Sequence, residues 1–323
     1  MINIILDIIN YILVAILIGV SATWIALIKS MLRTFNESPF LDKFEKKEHE
    51  KPKVSIILPA RNEEKFIGKC LDSLIKQDYD NYEIITINDS SNDATGDIIK
   101  KYSEKFPKVI SVDAKPKPDG WIGKNWACIE GYKKASGDLL LFTDADTVHT
   151  SSVISLAVSH LLSLELDALT VIPRMLCLDK ITKITLPMIS TFLHTRFSAL
   201  RVNDTSKGTG YFFGSFFIIK KSTYDSVGTH EDVKSELVED GALGKKVKES
   251  NFKMRMVRGE HLVDAIWARD INTLWNALKR LMIPLYLQNA KIAVGIFFAV
   301  SFLLFMPFPI LGYSIIFFNS MDS

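Results

Sequence analysis

The stretch Leu139-Leu140-Leu141-Phe142-Thr143-Asp144-Ala145-Asp146 joins a short apolar run to two carboxylates placed one residue apart. The apolar run is typical of a buried strand, which puts both carboxylates just beyond its carboxyl end. Open α/β sheets bind their ligands at that edge. Carboxylate oxygens are the ligands that hard divalent cations prefer. The stretch therefore predicts a ligand site, with room for a divalent metal, at the end of a central strand.

A single Asp-x-Asp triplet is weak evidence, because short patterns recur by chance. A second triplet, Asp78-Tyr79-Asp80, lies in a polar turn between a predicted helix and a predicted strand, and we expect it to be solvated. About ninety residues after Asp146, the pair Glu239-Asp240 opens another predicted helix. An acid that arrives from a distant segment can act as a general base. The alternative is a pair of first-turn acids that complement a helix N-terminus, and both roles are compatible.

Strands and helices alternate through the first half of the middle region. Strands are predicted over Val54–Leu58, Tyr82–Ile87, Val109–Val112 and Leu139–Phe142, with helices over Glu64–Gln77, Ala94–Phe106 and Trp126–Ala135 between them. Such alternation predicts an α/β fold whose mostly parallel sheet carries helices on both faces. Beyond Asp146 we predict helices over Ser151–Ser163, Ile181–Val202 and Glu239–Glu249, and strands over Ala168–Ile172 and Tyr211–Ile219.

The loops after the first two strands carry further polar side chains. The first loop is Pro59-Ala60-Arg61-Asn62-Glu63, and the second runs from Asn88 to Thr95. Parallel neighbours end at the same edge, so we expect both loops to meet the aspartates of the third in one crevice that a nucleotide can span.

Within these loops Asp89 is suited to accept a hydrogen bond from a base ring N–H, while Asn62 or Glu63 reaches base or ribose. The alternative for the second loop is an ordinary strand-to-helix turn, in which Asp93 or Ser91 caps the helix. We expect Asp93 to be the cap and Asp89 to be the ligand.

The segment Asp119-Gly120-Trp121-Ile122-Gly123-Lys124-Asn125-Trp126-Ala127 places a lysine between glycines and indoles just before a helix. Glycines let the backbone approach a phosphate, and Lys124 adds a positive charge. The alternative is a surface turn with Lys124 in solvent.

Composition narrows the class of protein. The 323 residues carry a net charge of +2, without a long basic stripe, which argues against nucleic-acid binding. The three cysteines have no metal-type spacing, and their odd number suits reduced thiols in the cytosol.

Both ends of the chain are apolar. Residues 8–28 have no charged side chain and are long enough to span a bilayer. The basic residues follow this run, among them Lys29, Arg33, Lys43, Lys46 and Lys47, so the positive-inside rule predicts an N-terminus outside and a cytoplasmic domain after it. Residues 292–318 form a second uncharged run that two prolines interrupt, which predicts either one kinked span or a shallow hairpin.

Six stretches resemble the family 2 glycosyltransferases of the GT-A fold, in particular a membrane-associated branch acting on hopanoid- and carotenoid-type lipids. They are VSIILPARNEE (54–64), INDSSNDATGD (87–97), DGWIGKNWA (119–127), FTDAD (142–146), GYFFGSFFIIKKSTYDSVGTHEDV (210–233) and ELVEDGALGKKVK (236–248). The resemblance covers about residues 52–257 and implies a Rossmann-like sheet.

The resemblance also implies roles for individual residues. Asp240, preceded by Glu239, becomes the catalytic base, and Asp144 and Asp146 hold the diphosphate through Mg²⁺ or Mn²⁺. The expected nucleotide-sugar-binding residues are Pro59, Arg61, Asn62, Glu63, Asp89, Lys124 and Asp144. Two departures stand out: the Gln-x-x-Arg-Trp motif of processive synthases is absent, with only Trp267, Arg269, Trp275 and Lys279 nearby, and the usual Gly-Gly-His is Gly228-Thr229-His230.

The resulting expectation is an inverting, metal-dependent, non-processive transferase that moves a sugar from a UDP- or GDP-sugar to a membrane lipid. Transfer to a polyprenyl phosphate is the alternative, and a non-catalytic membrane scaffold is a more distant one. The expected order is a transmembrane anchor (1–33), a cytoplasmic GT-A domain (34–262), interfacial amphipathic helices (263–290) and a C-terminal transmembrane segment (291–323). The expected location is the plasma membrane of a prokaryote.

Overall fold

A computed structural model describes residues 2–43 and 50–321, with the backbone alone described at 2–7, 187–189, 191–195, 281–282, 284–286, 288, 314 and 316–321. Parts of three predicted segments lie outside the described residues: Met1 of the anchor, 44–49 of the GT-A domain (with Lys46 and Lys47), and 322–323 of the C-terminal segment. The chain forms two compact units, one of Glu37–Asn276 and one of Met1–Asn36 with Ala277–Ser323.

The described strands are, in chain order, β1 (Val54–Ala60), β2 (Tyr82–Asn88), β3 (Val109–Asp113), β4 (Leu139–Phe142), β5 (Thr147–His149), β6 (Ala168–Ile172), β7 (Arg174–Cys177), β8 (Phe217–Lys220), β9 (Met254–Arg258) and β10 (Val263–Ala268). The described helices are α1 (Ile2–Glu37), α2 (Ile67–Leu74), α3 (Thr95–Lys105), α4 (Gly123–Tyr132), α5 (Val153–Ser163), α6 (Lys180–Phe197), α7 (Ala199–Asn203), α8 (Lys221–Ser226), α9 (Glu239–Glu249), α10 (Ile271–Gln288), α11 (Ala290–Phe305) and α12 (Pro307–Met321).

The main sheet has the strand order β3-β2-β1-β4-β8-β6-β9. Strand β8 runs antiparallel to both neighbours, and the other pairs are parallel. Alternate residues of β1 point to opposite faces, so fully buried Ile56 packs on the side of α2 and α5, whereas Ile57 packs on the side of α4 and α9. The predicted mostly parallel sheet, covered by helices on both faces, is therefore confirmed.

The predicted strand Tyr211–Ile219 is wrong in its first half. Strand pairing begins only at Phe217. Phe213 donates its backbone N–H to Thr170 Oγ1 at 2.9 Å, and Phe216 donates its backbone N–H to the Phe213 carbonyl at 3.0 Å, which forms a turn. Of the four phenylalanines in this stretch, Phe212, Phe216 and Phe217 are buried in the core.

The long helix predicted over Ile181–Val202 is divided in two. Ser198 adopts an extended conformation (φ −63°, ψ 149°), and its hydroxyl accepts the Arg201 N–H to begin α7. The predicted interfacial region 263–290 also differs at its start. Its first residues form β10, which pairs with β5 and β7 in a separate small sheet, and helix α10 begins at Ile271.

The terminal unit contains two helices long and apolar enough to cross a membrane, Ile8–Glu37 and Ala290–Tyr313. Inside this unit Trp24 Nε1 donates to the Leu303 carbonyl at 3.4 Å, and Tyr313 donates to Asn10 Oδ1 at 3.0 Å. Met306, between α11 and α12, keeps helical angles (φ −60°, ψ −33°) and donates to the Phe302 carbonyl. A reversal of direction would need a non-helical residue at this point, so one interrupted helical course is favoured over a hairpin.

Candidate active site

Three adjacent strands deliver polar residues to one edge of the main sheet. Strands β2, β1 and β4 are parallel neighbours, so the loops that follow them meet at their carboxyl ends. Asp89 follows β2, Arg61 follows β1, and Asp144 follows β4 after one threonine. Pro59 differs slightly from the expectation, since it lies within β1 rather than in the loop.

Lys124 links Asp144, which follows β4, to Glu239 at the start of α9. It lies in the first turn of α4, and its Nζ is 2.9 Å from Asp144 Oδ1 and 2.6 Å from Glu239 Oε1. Burial disfavours the charged amine, but the carboxylates of Asp144 and Glu239 outweigh it and raise the pKa of Lys124 well above its ordinary value. Lys124 is therefore a fixed cation at the centre of the site rather than a solvated surface lysine.

Asp240 faces the same point as Asp144. A Cβ atom placed on Gly214 would lie 2.8 Å from Asp240 Oδ2, 3.1 Å from Lys124 Nζ and 3.2 Å from Asp144 Oδ2, so any side chain at position 214 would crowd both carboxylates and the ammonium group. Burial and then the charge of Glu239 raise the pKa of Asp240 to about 7, although Lys124 opposes the shift. A carboxylate that titrates near neutrality is suited to general-base chemistry.

A second cation, Arg269, joins the loop after β1 to the Asp-x-Asp segment. Its Nη2 lies 2.7 and 2.6 Å from the two Glu63 carboxylate oxygens and 3.1 Å from Asp146 Oδ2, and its guanidinium lies over the Phe66 ring at 4.6 Å. Burial, with the charges of Asp144 and Glu63, raises the pKa of Asp146 to about 7, and the bond from Arg269 opposes this. Sequence reasoning noted Arg269 only as a remnant of an absent motif and missed this bridge.

The carboxylates fit a divalent metal that is shared with a substrate. Within 2–43 and 50–321 no group of three or more His, Cys, Asp or Glu residues is arranged to hold a metal unaided. Mg²⁺ is commonly held by one or two carboxylates together with substrate phosphates. Asp144 and Asp146 supply two carboxylates on one short turn, each beside a basic side chain. A metal bound together with a diphosphate suits this donor set better than a metal bound alone.

Asp89 is buried where two loops meet. Arg61 Nη1 lies 3.6 Å from its Oδ2, and a Cβ on Gly123 would lie only 2.9 Å from the same oxygen. The carboxylate thus lies against the glycine-rich segment. Asn62, by contrast, braces the loops: it has a positive φ of 56°, and its Oδ1 accepts the Asn92 N–H at 2.9 Å.

The expectation that Asp93 caps α3 is wrong. Ala94 is the residue that precedes the helix, and Asp93 instead accepts the backbone N–H groups of Thr95 at 3.0 Å and of Glu64, in the other loop, at 3.2 Å. The expectation that the second Asp-x-Asp triplet is solvated is confirmed. Asp80, in the second Asp-x-Asp triplet, is 87 % exposed and pairs only loosely with Lys51 at 3.5 Å.

The segment containing Lys124 is fastened to the loop before α9. Asn125 Nδ2 donates to the Val233 carbonyl at 2.8 Å and to the Glu236 carbonyl at 3.2 Å, and Ile122 N–H donates to the Lys234 carbonyl at 2.8 Å. These bonds hold Lys124 beside Glu239. The sequence marked the segment as unusual but did not show that Asn125 would position it.

His230, in the altered Gly-Thr-His loop, is structural. It is buried, its Nδ1 lies 2.6 Å from the Tyr224 hydroxyl, and burial lowers its pKa to about 3. A neutral histidine in the core has no evident catalytic task. The three cysteines, Cys70, Cys128 and Cys177, are buried free thiols.

Comparison with known proteins identifies the family. The family model described as glycosyl transferase family 2 matches residues 55–228, more than half of the chain. The chain belongs to this family. A probable glycosyltransferase of Bacillus subtilis is 35 % identical over 140 residues, which is 40 % of this chain and 33 % of that protein. A 4,4'-diaponeurosporenoate glycosyltransferase of Staphylococcus haemolyticus is 28 % identical over 245 residues, which is 75 % of this chain and 64 % of that protein.

The chain thus spans about a third to just under two-thirds of the length of these two relatives. Among solved structures, a mannosyltransferase of Pyrobaculum calidifontis in complex with GDP-Man and Mn²⁺ is similar, with a TM-score of 0.61, 18 % identity and coverage of 96 % of this chain and 87 % of that one. At this identity the likeness shows the fold, which is GT-A as the sequence motifs implied.

Replacing Arg269 with Gln should destabilise the protein. It leaves Glu63 and Asp146 as neighbouring, partly buried carboxylates without their shared cation, at a cost between the roughly 1 kcal/mol of an exposed pair and the roughly 3–5 kcal/mol of a buried one. The measurement is the thermal unfolding midpoint of detergent-solubilised protein at pH 8. Arg174→Gln is the matched control, because it breaks an equally short pair with Asp264 in which the arginine is 59 % exposed, against 33 % for Arg269. Equal midpoints for the two variants would contradict the bridging role of Arg269.

Proposed function

We propose that the protein transfers a sugar from a UDP- or GDP-sugar to a hydroxyl of a membrane lipid, with inversion at the anomeric carbon and without processive addition. The observation that carries this proposal is the placement of Asp240, whose carboxylate lies with that of Asp144 beside the side-chain-free position of Gly214. A candidate base and a candidate diphosphate site are therefore close together, as a direct displacement requires.

In this proposal the nucleotide-sugar donor binds to the loops at the carboxyl ends of β1, β2 and β4. Asp89 would accept a hydrogen bond from the base, and the loop of Arg61, Asn62 and Glu63 would contact the base or ribose. Asp144 and Asp146 would hold Mg²⁺ or Mn²⁺ against the diphosphate, and the metal when bound neutralises negative charge on the leaving nucleoside diphosphate. Lys124 adds a fixed positive charge next to Asp144.

The transfer step itself needs one proton acceptor. Asp240 takes the proton from the acceptor hydroxyl as that oxygen bonds to the anomeric carbon, while the bond from that carbon to the diphosphate oxygen breaks. Attack from the face opposite to the leaving group inverts the centre. The negative charge of Glu239 raises the pKa of Asp240, and the positive charge of Lys124 lowers it.

A membrane acceptor is supported by the two apolar helices and by the relatives. Ile8–Glu37 and Ala290–Tyr313 have the length and composition of membrane spans. The relatives above come from bacteria, and the printed name of one specifies a carotenoid-type acceptor. We therefore place the protein in a prokaryotic plasma membrane, with the catalytic domain in the cytoplasm, the N-terminus outside, and α10 at the membrane surface.

Transfer to a polyprenyl phosphate is the second candidate. Its oxygen is already anionic, so that reaction has less need of a base than transfer to a hydroxyl. Mild acid treatment of the labelled product separates the two, since sugar-phosphate-lipids are acid-labile and simple glycosides are less so.

Replacing Asp240 with Asn should abolish transfer and spare donor binding. Loss of a general base costs about 10²- to 10⁴-fold in rate. The assay follows radiolabelled sugar from a nucleotide sugar into butanol-extractable membrane lipid, and donor binding is measured on the same preparation. Asp232→Asn is the control, because that aspartate is exposed and pairs with Lys246 away from the site. Retained turnover in Asp240→Asn would refute the assignment.

The pH dependence should respond to Glu239. A base whose pKa is about 7 must lose its proton to act, so kcat/KM for the donor should fall as the pH drops below about 7. Glu239→Gln removes the negative neighbour that raises this pKa, so the pH at which kcat/KM falls to half of its maximum should be lower in this variant. Glu236→Gln changes an exposed glutamate three residues earlier and should leave that pH unchanged. An unchanged or higher half-maximal pH in Glu239→Gln would contradict the effect of the Glu239 charge on Asp240.

A further inference from the structure

A cavity of about 250 Å³ lies in the unit formed by Glu37–Asn276. It is bounded by the end of β6, by β7, by α6 and by residues 211–213, and most of its lining is apolar, including Ile172, Met175, Leu186, Phe197, Tyr211 and Phe213. Phe213 is the one phenylalanine of the aromatic stretch that is only partly buried. An apolar cavity of about 150 Å³ already accepts a benzene molecule. This one therefore has room for a larger apolar group.

Arg174 and Glu260, the charged side chains in the described part of the lining, are already paired. Arg174 makes a bidentate contact with Asp264 at 2.7 and 2.6 Å, and Glu260 accepts a hydrogen bond from Arg258 at 2.8 Å. A phosphate would need a cation released from one of these pairs. A neutral hydrocarbon needs none, so the lining favours an apolar occupant.

One short segment separates the cavity from the acids. Tyr211 lines the cavity, and a Cβ on Gly241 would lie 3.0 Å from its ring, so Tyr211 packs on the first turn of α9, next to Asp240. Phe213 lines the cavity too, and it directly precedes Gly214, the backbone point that Asp240 and Asp144 both face. Residues 211–214 therefore connect the lining of the cavity to the segment beside the candidate base.

The outer wall of the cavity is apolar toward the surroundings. Helix α6 contributes Leu186 and Ser190 to the lining, and its other faces expose Ile181 (53 %) and Ile184 (75 %). A helix with exposed apolar side chains of this kind is typical of a membrane–water interface. These exposed side chains offer a hydrocarbon chain an apolar surface on the helix that borders the cavity.

We propose that this cavity binds the hydrocarbon part of the lipid acceptor, adjacent to the hydroxyl that receives the sugar. The proposal rests on the proposed function and adds to it the place and chemistry of the acceptor site. It assigns the cavity to a neutral isoprenoid or acyl segment and leaves the nucleotide to the loops after β1, β2 and β4.

The test uses the full-length protein in detergent and a C15 prenyl alcohol that carries a photoreactive diazirine. After irradiation, labelled peptides are mapped by mass spectrometry, and Mn²⁺-dependent nucleotide-sugar binding is measured on the same samples. Ser190→Trp fills the cavity from α6. Ile184→Trp introduces the same side chain on the same helix, at an exposed position outside the lining.

Labelling should fall within the β6–β7 and 211–213 peptides and drop about tenfold in Ser190→Trp. It should be unchanged in Ile184→Trp, and donor binding should persist in both variants. Should Ser190→Trp fail to fold, Met175→Trp fills the cavity from the opposite wall and should give the same loss.

Two other outcomes overturn the proposal in different ways. If donor binding is intact and labelling is equal in Ser190→Trp and Ile184→Trp, or maps elsewhere, the cavity is not the acceptor site. If the wild-type protein labels at the cavity but binds no nucleotide sugar, the acceptor role fails together with the proposed function, and only an apolar binding site is left.

Discussion

A surplus of negative charge in a partly buried pocket governs the structure of this site. Five carboxylates, Glu63, Asp144, Asp146, Glu239 and Asp240, converge there, and in the described part of the chain two basic side chains, Lys124 and Arg269, pair with them. Like charges held close together and away from water raise one another's proton affinity. The raised pKa values of Asp146 and Asp240, both about 7, are the result.

The two cations also decide how the site is assembled. Lys124 joins β4 to α9, and Arg269 joins the loop after β1 to the end of β10, so each links segments far apart in the chain. Neither cation neutralises its acids fully. In the proposed function, the remaining negative charge serves to hold a divalent cation and to accept a proton.

Much of this could be predicted from local sequence. Leu139–Phe142, Ala168–Ile172 and Glu239–Glu249 have the predicted bounds, because buried strands and a helix with acidic first-turn residues carry clear local signals. The rule that parallel strands end at one edge also predicts that Asp89 and Asp144 lie together at that edge of the sheet.

Long-range contacts escaped prediction. The prediction of a strand over Tyr211–Ile219 was wrong because the Thr170 hydroxyl, some forty residues away, accepts the Phe213 N–H, which then cannot pair with a neighbouring strand. The small sheet was missed because β5 has three residues, too few to show a period. Gly214, Asn125 and Arg269 have their roles only through partners from distant segments, and one sequence shows no signal for such pairing.

The most direct test of the central claim is calorimetric titration of the wild-type protein in detergent with GDP-mannose, UDP-glucose and UDP-N-acetylglucosamine, each with Mn²⁺ and with EDTA. The account predicts that at least one donor binds in Mn²⁺, and that its affinity drops about a hundredfold or more in EDTA, a loss of about 2.7 kcal/mol. Binding that is equally strong in EDTA would contradict a shared metal at Asp144 and Asp146. Binding of none of the donors under either condition would contradict the proposed use of these nucleotide sugars.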